Sequence, residues 1–246
     1  MANARRLATA CTWMVLACLV KPVLAQDARG PETDRDRQLT LPSGRVAGQS
    51  GTFWTSAIGN GGPAPLAERL LIVTEDGRVL DRIDGDENRV VMPARLTPLL
   101  LSSDSFVTLV HNHPGSTSLS GQDLDQLGKP GVSRVVAVGN DGSVYEAAPD
   151  RRFDAARFIG DVYPSVLNAV IEAVTDGAVR LHVDVSRAYL YVTHVVALIL
   201  HQAHVIEYRS SMSAPRAVDY ERDHDLYARI IKTETARLDA LFSHQR

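Results

Sequence analysis

Ser105-Phe106-Val107-Thr108-Leu109-Val110-His111-Asn112-His113-Pro114, running through a loop of small residues to Ser120-Gly121-Gln122-Asp123, is the stretch on which the reading of this chain turns. A short apolar run from Ser105 to Val110 reads as a buried strand. Positions two apart on a strand share a face, so His111 and His113 point at one spot. Pro114 ends the strand, and a helix starting near Ser120 returns a carboxylate toward that spot. Two imidazoles and one carboxylate are a ligand set used by catalytic zinc, which keeps a further position for water. Asp123 has a second reading. Ser120-x-x-Asp123 is also a capping box, with an acid placed favourably for the helix dipole. The two roles are compatible, and Asp125 is the alternative ligand.

Outward from this stretch the pattern is one of hairpins. Glu68 to Thr74 is strand-like, Asp76-Gly77 is a turn signal, and Arg78 to Ile83 returns. Pro93 to Ser102 fits a short helix weakened by Pro98. Ser120 to Leu127 is a helix ended by Gly128 and Pro130, and Arg134 to Val138, Asp141-Gly142 and Ser143 to Ala147 make a second hairpin. The order β-β-α-β-loop-α-β-β predicts an α/β domain over residues 51–150, after a first short strand at Thr52-Phe53-Trp54 and a loop from Gly59 to Pro63. Beyond Pro149 the pattern turns helical through 151–246. Ala155 to Val174 has helical spacing with a break expected at Pro164, Ser186 to Tyr208 reads as one long apolar helix, and Asp219 to Phe242 is amphipathic. These helices either cover the α/β domain or mediate association.

Before that domain the chain is of another kind. In residues 1–25, Arg5 and Arg6 precede an apolar stretch from Leu7 to Val20, and Val23-Leu24-Ala25 offers a cleavage site. This reads as an export signal, with an uncleaved anchor as the rival; the stretch is short of the about 20 residues a span needs, and Lys21 interrupts it. Residues 26–50 are polar and aperiodic, a flexible leader. The expected location is periplasmic or secreted. Cys11 and Cys18 both lie in the signal, so a mature chain would have no disulfide, thiol nucleophile or cysteine-bound metal. The formal net charge of −3 becomes −6 once Arg5, Arg6 and Lys21 are removed. A mildly acidic chain without a basic run argues against a nucleic-acid partner.

A water bound to such a metal needs a base nearby. Glu68 and Glu75 are the candidates; Glu75 precedes Asp76-Gly77 and suits an exposed turn, whereas Glu68 opens a strand that is apolar from Leu70 to Val73. Other chemistries lack their residues. There is no cysteine for a deaminase zinc site, no His-Glu-x-x-His helix, no Gly-x-Ser-x-Gly elbow, and no phosphate cradle around Gly59 to Gly62. His201 and His204 could bind a metal from one helix, but partial burial or a polar helix edge explains them as well. His182, His194, His224 and His244 have no partner spacing that singles them out.

Taken together, Glu68, His111-x-His113-Pro114 and Ser120-x-x-Asp123 resemble the signature of the JAB/MPN metalloprotease superfamily, the JAMM motif. The His-Asn-His-Pro form is similar to its RadC-like and toxin-associated bacterial branches. The resemblance covers residues 66–148. It implies a mixed sheet with flanking helices, of the cytidine-deaminase-like kind, and a zinc ion held by His111, His113 and Asp123. It also implies Glu68 as general base, Ser120 steadying the tetrahedral intermediate, and a peptide or protein substrate, such as an envelope protein or a peptidoglycan peptide. The loop 114–119 is one residue shorter than the family's usual one. That departure keeps a rival open, a JAB-like binding or assembly module, and a third reading is an exported effector or toxin.

Overall fold

Two hairpins and the buried strand between them build most of a six-stranded sheet. The computed structural model describes Ile58, residues 67–86 and residues 89–244. The export signal, leader, strand at Thr52-Phe53-Trp54 and loop from Gly59 to Pro63 expected from the sequence lie outside the described residues. Strands β1 (Arg69–Val73) and β2 (Val79–Asp84) form the first hairpin, and β4 (Val132–Gly139) and β5 (Val144–Pro149) the second. Gly77 and Gly142 each take φ +86°, a conformation open to glycine and strained for other residues, which is why Asp-Gly marks both turns. Between the hairpins, β3 (Val107–His113) is buried along all seven residues. A sixth strand, β6 (Ile206–Ser211), pairs with β5, so the sheet order is β2-β1-β3-β4-β5-β6. Only β3 and β4 are parallel; every other neighbour is antiparallel.

Helices cover one face of this sheet. Short helices α1 (Thr97–Leu101) and α2 (Gly121–Asp125) flank β3 in sequence, each joined to a 3-10 turn. After β5, a helical turn at Ala155–Arg157 and a π-turn at Phe158–Val162 lead into α3 (Tyr163–Leu181). Then come α4 (Val185–Tyr189), α5 (Val192–Gln202), α6 (Ala214–Glu221) and α7 (His224–Ser243). Alternate strand residues Leu70, Ile72, Leu109, Val135 and Tyr145 join Val166, Val170, Val196, Ile199 and Leu238 from the helices in one core. The opposite parity, Leu71, Val73, Val110, Val136 and Val138, is buried with Ile58 on the other face. At about 1.5–3 kcal/mol for each large apolar side chain removed from water, the helix-covered face dominates the stability of the fold.

Two local expectations are corrected. Ser186 to Tyr208 is not one helix. α5 ends in a Schellman turn, with Val205 N–H donating to Leu200 O and His204 N–H to His201 O. His204 sits there at φ +58°, where glycine is the usual occupant. The chain then reverses into β6, with Ile206 and Tyr208 facing the core and Glu207 and Arg209 facing out. Pro164 does not end its helix either: the chain stays helical from Ala155 into α3, and the irregularity expected there is taken up by the π-turn Phe158–Val162 just before it. The helical region after residue 150 thus shares both sheet and core with the segment before it. Among the described residues, no helix is long and apolar enough to cross a membrane.

Candidate metal centre

His111 and His113 close β3 on its helix-covered face, the parity they share with Val107 and Leu109. Both are nearly buried, at 7% and 8% exposure, and their Nε2 atoms stand 2.8 Å apart. Two imidazole nitrogens this close require a proton or a cation between them. His113 Nδ1 lies 2.9 Å from Thr117 O, an acceptor, so it carries the proton and Nε2 keeps its lone pair. Such a carbonyl fixes tautomer and ring orientation, as at ligating histidines generally.

Asp123 completes the cluster from α2. Its Oδ1 lies 3.1 Å from His111 Nε2 and its Oδ2 3.5 Å from His113 Nε2. It also makes the capping box, accepting the Ser120 N–H at 2.6 Å while its own N–H donates to Ser120 Oγ at 3.3 Å. Cap and cluster are therefore one arrangement. Three ligand atoms, one from each residue, lie within 4.8 Å of one another, and this group could hold a metal ion. Asp125 lines the adjoining cavity but is not part of the cluster.

Glu68 reaches the same place from the position just before β1. The β1–β3 ladder ends at Leu70↔His111, and Glu68, two residues before Leu70, shares its parity and lines the cavity that His111 and His113 line. Its backbone is held in the hairpin, with Glu68 N–H donating to Asp86 O and Glu68 O accepting from Gly85 N–H. Asn112 adds a second hold. Fully buried between the histidines, its Oδ1 accepts the Arg69 N–H at 2.7 Å and its Nδ2 donates to Ala67 O at 3.1 Å, on either side of Glu68. Glu75 lies exposed in the β1–β2 turn, as expected.

The charges at this centre are coupled. Burial raises the pKa of Glu68 above the usual carboxylate value, with His113 and His111 opposing. For Asp123 burial pushes upward too, yet the two imidazoles win and hold it well below the ordinary range. Burial opposes protonation of His113, but Asp123, Thr117 and Glu68 together raise it. The cluster opens on a cavity of about 860 Å³ whose walls include Glu68, Ser120, Arg89, Lys129, Tyr163 and Leu167. Tyr163 stays protonated: burial, aided by the charge of Asp123, pushes its phenol up to about 12.

The loop 114–119 is held from the far end of the chain. Ser118 Oγ shares a 2.7 Å hydrogen bond with Tyr208 Oη, which meets His194 Nδ1 at 2.8 Å. Asp141 N–H donates to Ser116 Oγ, and Arg216 donates to Asp141 at 2.7 Å and to Gly115 O at 3.4 Å. Sequence reasoning missed Asn112, Thr117, Tyr163 and Tyr208, since each acts through a neighbour that only folding supplies. Asn112 alone carried a signal, as a polar residue inside the motif. His201 lies at 3.3 Å from Ile206 O, and His204 pairs with Asp150 at 3.1 Å, so neither joins a metal cluster among the described residues. Searches among protein-family models, curated proteins and solved structures returned no match to this chain.

Proposed function

We propose that this protein is a zinc-dependent hydrolase of the JAB/MPN type that cleaves a peptide or isopeptide bond. The observation that carries this reading is one cavity holding a His111, His113 and Asp123 cluster together with Glu68, a carboxylate outside the cluster. Three protein donors is the number catalytic zinc sites use, where structural sites use four. Two imidazoles and a carboxylate, with His113 Nδ1 already committed to Thr117 O, fit such an ion. Zinc held there would supply Lewis acidity, polarising a carbonyl and lowering the pKa of a water toward ~7. The mixed sheet with flanking helices is compatible with the fold this reading requires.

Glu68 accepts the proton of the attacking water as the new C–O bond forms. It then returns that proton to the amine nitrogen as the C–N bond breaks, leaving a carboxylic acid and an amine. The burial that raises its pKa brings it closer to the range in which one group can do both. Ser120, whose Oγ accepts from the Asp123 amide, keeps its hydroxyl proton to donate toward the oxygen that gains charge. Residues 1–25, as an export signal, would put the substrate outside the cytoplasm, an envelope protein or a peptidoglycan peptide. The test is zinc analysis of the purified protein with cleavage of a peptide library. We expect one zinc, lost in His113→Ala, and turnover reduced at least about 10²-fold in Glu68→Gln with zinc retained. A protein that takes up no zinc, or cleavage indifferent to both changes, would falsify the proposal.

The loop 114–119, one residue short of the family's usual length, favours a second reading, a JAB-like module that holds zinc but assembles rather than cleaves. It expects one zinc without turnover and a stable partner in pull-downs.

A further inference from the structure

Tyr163 belongs to none of the motif elements, yet it stands on the cluster's own helix. A Cβ placed on Gly121 would come 2.4 Å from Tyr163 Cε1 and 2.8 Å from Cζ, so the ring lies directly on that glycine. Gly121 is the first residue of α2, between the cap Ser120 and the cluster residue Asp123. The phenol is thereby fixed over the helix end that presents both. Burial keeps the phenol protonated, so its hydroxyl has a proton to donate.

The way α3 begins serves the same placement. The π-turn Phe158–Val162 inserts an extra residue just before Tyr163, an irregularity frequent at functional sites. Phe158, almost fully buried, packs its ring 5.8 Å from that of Tyr163 and backs it. Tyr163 lines the cavity that Glu68, His111, His113 and Ser120 also line. A tyrosine needed only for packing would be served by phenylalanine.

We propose that Tyr163 donates a hydrogen bond to the substrate oxygen that gains negative charge during hydrolysis, sharing that oxygen with Ser120. This rests on the hydrolase reading above. It makes α3, from the helical region after residue 150, a direct contributor to the site. Two donors from separate elements also give the oxygen a defined position, whatever the side chains flanking the scissile bond.

The experiment compares wild type with Tyr163→Phe as full-length, zinc-loaded proteins. Phenylalanine keeps the ring on Gly121 and removes only the hydroxyl. One readout is kcat and KM on a peptide that the wild type cleaves; the other is calorimetric binding of a phosphonate dipeptide, a tetrahedral anion. We expect kcat to fall about 10²-fold at unchanged KM, zinc stoichiometry and Tm, and phosphonate affinity to fall about tenfold. Equal rates and equal phosphonate binding would overturn the assignment. A variant that loses zinc or melts earlier would give Tyr163 to packing and overturn it as well. If the wild type cleaves no peptide, the hydrolase reading fails by itself. A tenfold difference in phosphonate binding would then uphold Tyr163 as an oxyanion donor, and equal or absent binding would remove it too.

Discussion

Asn112 shows how much one side chain can organise. It sits between two cluster histidines with its own side chain on the other face, where it satisfies the Arg69 N–H and the Ala67 carbonyl. Those two groups flank Glu68, so the residue that joins the histidines in sequence also spaces the carboxylate from them. Asn112→Ala would leave two half-buried backbone groups without their partner, at a cost of about 1–3 kcal/mol at most. We expect urea denaturation to show that loss; on the proposed hydrolase reading, turnover should fall more than zinc affinity, because Glu68 is released while His111, His113 and Asp123 are not. Equal losses of zinc and turnover would instead assign Asn112 to the ligands.

Among elements, the pairing of the loop 114–119 with β6 and α6 is decisive. Ser116 takes φ +53° in that loop without being glycine, a strain offset by the hydrogen bond that its Oγ accepts from Asp141 N–H. Tyr208 of β6 and His194 of α5 extend the hold through Ser118. His194 is 4% exposed, and burial pushes its pKa down to about 4. The folded protein keeps this imidazole neutral, whereas the unfolded chain protonates it near its ordinary value of about 6.5. Stability is therefore full above that value and declines as pH falls toward the folded pKa, by about 3 kcal/mol at pH 4. Urea midpoints at neutral pH and near pH 4.5 check this; His194→Gln should remove most of the difference. A slope unchanged in that variant would place the acid sensitivity elsewhere.

At the scale of the whole molecule, the region after residue 150 is structural rather than appended. β6 covers the edge of β5, and Val166, Val170, Val196 and Ile199 bury the sheet face that carries the cluster. A chain ending at Asp150 would expose that face and leave β5 as an unpaired edge. We expect it to lack a cooperative thermal transition and to bind ANS; a sharp transition near that of the full chain would show that the first five strands suffice. The edge strands that remain are guarded by charge, Asp81, Arg82 and Asp84 on β2 and Glu207 and Arg209 on β6.

The local elements were legible in the order of residues. Alternation and Asp-Gly turns announced both hairpins, and parity alone put His111 and His113 on one face. Ser120-x-x-Asp123 announced the cap, because a capping box is a matter of four consecutive residues. Long-range decisions were not legible. The helical periodicity of 186–208 hid β6 because the turn at His204 uses a left-handed residue without the glycine that usually signals it. The position of Glu68 depends on a strand register, and that of Tyr163 on a ring settling over Gly121. Short-range periodicity is set by neighbouring side chains, whereas register and packing are set by which distant surfaces exclude water together, and only the folded chain brings those surfaces into contact.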